Sequence, residues 1–130
     1  DVLGSRGLGD VYKRQENNKV MIRSIIGKDT CIKLIDRAKN CKKDEALNEK
    51  IHPSRYDEMV KSQDVIQLMH LVRALFNIKN DRAKELRRMK SADNRMLATA
   101  RKLLYGEIAA AMNEDYTAMS EQMDNYLSVL

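Results

Sequence analysis

From residue 65 to residue 78 the apolar positions keep a helical period. Val65, Leu68, Met69, Val72, Leu75 and Phe76 fall on one stripe of an α-helix, and Ile66, Leu71 and Ile78 widen it, so this helix is expected to be covered on more than one side. Its narrow polar row, Gln63, Gln67, His70 and Asn77, is expected to face solvent. The pattern predicts one helix from about Ser54 to Ile78, started by Pro53 and by Ser54 with Asp57 in a capping-box arrangement.

The flanking segments read less sharply. Asp29 or Thr30 is placed to cap a first helix running to about Cys41, with Ile32, Leu34, Ile35 and Ala38 as its apolar face. The charged stretch "NCKKDEALNEK" that follows is either a frayed continuation or a loop. A third helical region is expected from Asp81, with Leu86, Met89, Leu97, Ala100, Leu104, Ile108 and Ala111 in one stripe. Asp93 interrupts that stripe, and Ser91 is placed to cap a restart there. Beyond it, Tyr105, Ala109, Met112, Tyr116, Met119, Met123, Tyr126 and Leu130 alternate steps of four and three residues, the heptad-like spacing that keeps one seam toward a partner helix. "NED" at Asn113 to Asp115 is the place where a tight turn would divide that seam.

Composition narrows the class. From Met21 onward the chain breakers are Gly27, Gly106 and Pro53, too few for a turn-rich β architecture, and strong helix formers dominate. The expectation is an all-α fold, a compact bundle of three to five helices over residues 29–130, with a Tyr/Met seam on the last helix. No apolar run reaches the eighteen or so residues of a membrane helix, which argues for a cytoplasmic protein with no membrane partner. Cys31 and Cys41, ten residues apart on one expected helix, would lie roughly 15 Å from each other, too far for a disulfide.

Residues 1–15 stand apart from this pattern. "SRGLGDVYKRQ", Ser5 to Gln15, resembles the conceptual translation of a transposase-type sequencing-library adapter, with no mismatch over eleven residues. The resemblance implies a metagenomic read carried through its own adapter, so that Gly7, Gly9 and the Lys13–Arg14 pair have no function. A phosphate-binding glycine loop would need a strand before it, and nothing before Gly4 could form one. Residues 16–28 then form an N-terminal tail, with Met21 as the native start or, alternatively, with the native N-terminus missing.

Charge locates the remaining candidates. From Met21, 20 Lys and Arg stand against 16 Asp and Glu, a net charge of +4. Met21 to Lys90 carries +7 (17 bases, 10 acids), whereas Ser91 to Leu130 carries −3 (3 bases, 6 acids). "KNDRAKELRRMK" concentrates Lys79, Arg82, Lys84, Arg87, Arg88 and Lys90 against Asp81 and Glu85. On a continuous helix these would join Arg95 and Arg101 in two adjacent rows able to neutralise a phosphate backbone. No aromatic platform interleaves them, which disfavours single-strand stacking. Metal and cofactor motifs are absent: Cys31, Cys41, His52 and His70 lack the paired short spacings of a zinc site, and no Glu-x-x-His pair occurs. No Ser or Cys nucleophile stands with an evident His and acid.

These features predict a small non-enzymatic interaction protein without a cofactor, acting through helix pairing in a homo-oligomer or with a protein partner. Size and composition would suit an accessory protein of a phage or mobile element. The alternative is nucleic-acid binding through the Lys79–Arg101 surface. Deleting residues 1–15 is expected to leave the midpoint of thermal unfolding nearly unchanged in a calorimetric scan. A marked drop would contradict the adapter reading.

Overall fold

The computed structural model describes residues 26–130; the adapter-like stretch and most of the tail, Met21 included, lie outside the described residues. Among the described residues six α-helices follow one another: α1 Lys28–Lys39, α2 Glu45–Asn48, α3 Tyr56–Ser62, α4 Val65–Lys84, α5 Ser91–Met112 and α6 Tyr116–Leu127. Short 3-10 turns at Cys41–Lys43 and Pro53–Arg55 flank α2 and α3. No strand occurs among the described residues, so the all-α expectation holds, with six helices where three to five were expected.

The extra elements arise where backbone conformation and side-chain caps end helices that periodicity alone would continue. The expected helix from Ser54 to Ile78 is broken at Gln63, whose φ of 56° is left-handed. Asp64 then caps α4 by accepting a hydrogen bond from the Ile66 amide at 2.9 Å, and α4 runs on past Ile78 to Lys84. In the charged stretch, Asp44 accepts from the Leu47 amide at 3.1 Å and starts α2, while the Arg37 guanidinium holds the same carboxylate at 2.6 Å. That hydrogen bond keeps the Asp44 carboxyl below the usual carboxylate range. At the first helix neither Asp29 nor Thr30 is the cap: α1 begins at Lys28, after Gly27.

Further along, the restart near Ser91 is observed, but Ser91 is not its cap: it is the first helical residue, and Lys90 holds the N-cap position with no side-chain hydrogen bond. "NED" does divide the last stretch. Asn113 ends α5 in the left-handed conformation that Asn tolerates, and Asp115 caps α6 by accepting from the Ala118 amide at 3.0 Å.

α4 and α5 form an antiparallel pair at the centre, with α2 and α3 on α4 and with α1 and α6 on α5. Eight residues of the α4 stripe are buried (Val65, Leu68, Met69, Leu71, Val72, Ala74, Leu75 and Phe76), so the helix is indeed covered on several sides. Ile66 is 51% exposed, and on α1 Ile32 is 52% exposed while Cys31, Leu34 and Ala38 face the core. Leu97, Ala100, Leu104, Tyr105, Ile108 and Ala109 of α5 meet Met119, Met123 and Leu127 of α6 in the same continuous core. Each buried Leu or Met contributes about 1.5–3 kcal/mol by leaving water.

Met119, 4% exposed, tests the packing of α6. Met119→Ala is expected to cost about 2–5 kcal/mol in urea unfolding. Exposed Glu121→Ala should stay within about 0.5 kcal/mol of the parent chain. Because the contact lies within one chain, the loss caused by Met119→Ala relative to the parent chain should be the same at every protein concentration.

Candidate interaction surfaces

The basic residues gather at one end of the α4–α5 pair, though not as two rows of one helix. Lys79, Arg82 and Lys84 sit on the last turns of α4, Arg87, Arg88 and Lys90 in the connector that follows, and Arg95 and Arg101 on α5. Lys79, Lys84, Arg87, Arg88, Lys90 and Arg95 are exposed; Arg82 and Arg101 are half-buried. Among the described residues, two of the eight have an acidic partner. Arg87 meets Glu85 at 3.3 Å in full solvent, where such a contact is weak, and Arg101 pairs with Asp124. Arg82 instead donates to the Arg88 carbonyl at 3.0 Å, which ties the connector back onto α4.

The conformation of that connector is set by the end of α4. The Leu86 amide donates to the Ala83 carbonyl at 3.0 Å and the Arg87 amide to the Arg82 carbonyl at 2.8 Å, the double bond of a Schellman ending. That motif needs a left-handed residue, usually Gly or Asn, and the end of α5 supplies Asn113 for it. At the end of α4 the position holds Leu86, at φ 57° and 96% exposed. A β-carbon in this conformation costs roughly 1–2 kcal/mol, and the apolar side chain recovers nothing from solvent. Leu86, expected within an apolar stripe, is therefore a strained knob at the tip of the basic end. Sequence periodicity misses it, because Leu is also the commonest core residue.

The Tyr/Met seam takes a different course. Tyr105, Ala109, Met119 and Met123 are buried, Met112 and Tyr126 half-buried, and Tyr116 and Leu130 exposed by 44% and 69%. The turn at Asn113 folds the two halves of the seam against each other, so that the line expected to face a partner helix closes largely on itself. A polar clamp fastens the halves. The Tyr105 hydroxyl donates to Asp124 Oδ1 at 2.7 Å and Arg101 Nε to the same oxygen at 3.0 Å, while Arg101 Nη2 meets Asp124 Oδ2. Burial, and then the bond to Asp124, push the Tyr105 phenol far above its ordinary range. Burial pulls the Arg101 guanidinium down, but the Asp124 carboxylate outweighs it and holds the group above its ordinary value. Arg101 therefore acts in the α5–α6 interface.

A second polar group joins three segments behind the basic end. Arg73, 3% exposed, donates from Nη1 to the carbonyls of Leu127 and Val129 at 2.9 and 2.7 Å and from Nε to Asn48 Oδ1 at 2.8 Å. Asn77 donates to the same Asn48 oxygen at 3.0 Å, and Asn80 donates to the Ser128 carbonyl at 3.0 Å. His70 departs from the expected solvent-facing row. It is half-buried, with Nε2 2.8 Å from the Glu49 carbonyl, an acceptor that assigns a proton to that nitrogen. Asn77 is likewise half-buried.

Beside this network a groove of about 480 Å³ runs along α4, floored by Ile51, Ala74 and Ile78. Its rim alternates Lys50, Arg82, Lys84 and Arg87 with Glu49, Asp81 and Glu85, so its charges nearly cancel. The protruding connector is the strongly cationic feature. Cys31 and Cys41 are buried free thiols, raised above their ordinary range chiefly by burial. No group of three His, Cys, Asp or Glu side chains suited to a metal ion occurs among the described residues. None of their helices is long and apolar enough to cross a membrane.

Residues 33–124 match a protein family described as CarD, C-terminal domain. The match runs from the second turn of α1 to the last turn of α6 and includes the basic connector. Neither the curated proteins nor the solved structures contain a match to the chain.

Proposed function

Because the chain belongs to the family described as CarD, C-terminal domain, we propose that it is a non-enzymatic interaction domain whose contact surface is the basic α4–α5 connector and whose partner there is nucleic acid. One observation carries this reading: Lys79 and Lys84 at the end of α4, Arg88 and Lys90 in the connector and Arg95 at the start of α5 are exposed with no acidic partner among the described residues. Cations held in such an array neutralise phosphates without a large ordering cost, and counterion release drives the association. Phosphate contacts of this kind position a protein on its target without reading sequence, so the domain is a binder of backbone.

Helix pairing with a protein partner finds less support. Tyr105, Ala109, Met119 and Met123, the centre of the seam that would carry it, are turned into the core, and Tyr116 and Leu130 at its margins are what remains exposed. No step of chemistry is assigned to any residue.

The salt dependence of binding tests the proposal. Affinity for a duplex should fall with a logarithmic slope near −0.9 per phosphate neutralised, and Arg87→Ala with Arg88→Ala should lower the magnitude of that slope by about two. Duplex binding that is undetectable at low salt, or a slope the double substitution leaves untouched, removes the reading.

A further inference from the structure

α5 starts directly after the basic connector and ends at the acidic turn, and its 22 residues hold these two features roughly 33 Å apart. No Lys or Arg follows Lys102. Of the five acids beyond it, Glu107 is buried and Asp124 is paired with Arg101, which leaves Glu114, Asp115 and Glu121 exposed around the start of α6. Tyr116, 44% exposed, stands among them. At the opposite end Leu86, 96% exposed, stands among Lys84, Arg87, Arg88 and Lys90. Opposite charges this far apart do not neutralise each other within one chain, since salt screens them beyond about 10 Å.

We propose that a second copy of this chain docks head to tail, its acidic Tyr116 turn on the Leu86-tipped basic connector. The two ends are complementary in charge, and each offers one exposed apolar side chain for the other to cover. Joining like ends would set cations against cations; we place the unlike ends in an end-to-end, heterologous contact, as distinct from a closed antiparallel pair, which would use both contacts at once and level at a dimer. The end-to-end contact leaves one free end of each kind and extends into short chains. The inference rests on the reading that the connector seeks an anionic partner, and it adds a regulation. The acidic turn and a phosphate backbone compete for the same cations, so self-association and nucleic-acid binding exclude each other.

Sedimentation of the full chain without nucleic acid tests this. At low salt the weight-average mass should climb with concentration without levelling at a dimer, and it should return to the monomer in high salt. Leu86→Asn removes the knob while suiting the left-handed backbone, so it should keep the fold and weaken assembly. A chain with Arg87→Glu and Arg88→Glu should not self-associate, and neither should a chain with Glu114→Lys and Glu121→Lys. Mixing the two chains sets the unaltered acidic turn of one against the unaltered basic connector of the other, and the two altered ends are again opposite in charge, so assembly should return at 1:1 stoichiometry. A wild-type chain that stays monomeric at low salt overturns the inference, and so does a dimer that both charge-reversed chains still form alone. A monomer that binds duplex with the expected salt slope sinks this inference alone. A chain that assembles but binds no duplex sinks the nucleic-acid reading alone.

Discussion

A guanidinium at 3% exposure has to find an acceptor for its N–H groups inside the protein, and in this fold that requirement falls on Arg73 of α4. Its acceptors are the Leu127 and Val129 carbonyls at the end of α6 and the Asn48 side chain at the end of α2. The last carbonyls of a helix have no partner within it and carry the negative end of its dipole, so α6 and Arg73 each supply what the other lacks. Asn48 in turn donates to the Cys41 and Asp44 carbonyls at 2.8 and 2.9 Å, which closes the stretch between α1 and α2. Segments separated by 25 to 56 residues along the chain are thereby joined through one cation. Apolar burial drives collapse, but it does not choose among ways of stacking six helices. A buried cation with directed acceptors does.

The surface follows from that arrangement. With α6 fastened at its end by Arg73 and along its length by the Asp124 clamp to Arg101 and Tyr105, the centre of the Tyr/Met seam is committed to the core. What the fold leaves outward is the connector between its two longest helices, where a leucine occupies a left-handed position and exposed cations flank it. Membership of the CarD C-terminal domain family agrees with an interaction role, and the strained, charged tip of this helix pair is where we propose that the contact is made.

How much of this the sequence discloses depends on the kind of signal. The α4 stripe, the restart at Ser91 and the turn at Asn113 to Asp115 were legible, because each rests on local periodicity or on capping chemistry. The break at Gln63 was not: it lies in "KSQDV", with no Gly or Pro, and it depends on a glutamine taking the left-handed conformation for which Gly or Asn would have been the local signal. Arg73 escaped for the opposite reason. A charged residue within an apolar stripe reads as surface, and its acceptors lie on α6 and beside α2, which no local pattern connects. The eight basic candidates were legible as residues. That Arg101 would be held by Asp124, and that Arg87 and Arg88 would leave the helix, depended on tertiary contacts and on the ending of α4.

The account turns on Arg73, and Arg73→Met is the substitution that tests it. Replacing a buried ion by an apolar side chain of similar length is often neutral, since the cost of burying the charge disappears with it. Here the substitution would strand the Leu127 carbonyl that ends α6 and the Val129 carbonyl just beyond it, each at about 1–3 kcal/mol, while the Asn48 oxygen keeps its bond from Asn77. Urea unfolding of Arg73→Met, followed by native-state hydrogen exchange, should therefore show a loss of about 2 kcal/mol or more, with the amides of α6 opening before those of α4 and α5. A variant within about 0.5 kcal/mol of the parent chain, with α6 still protected, would mean that apolar packing alone places the helices.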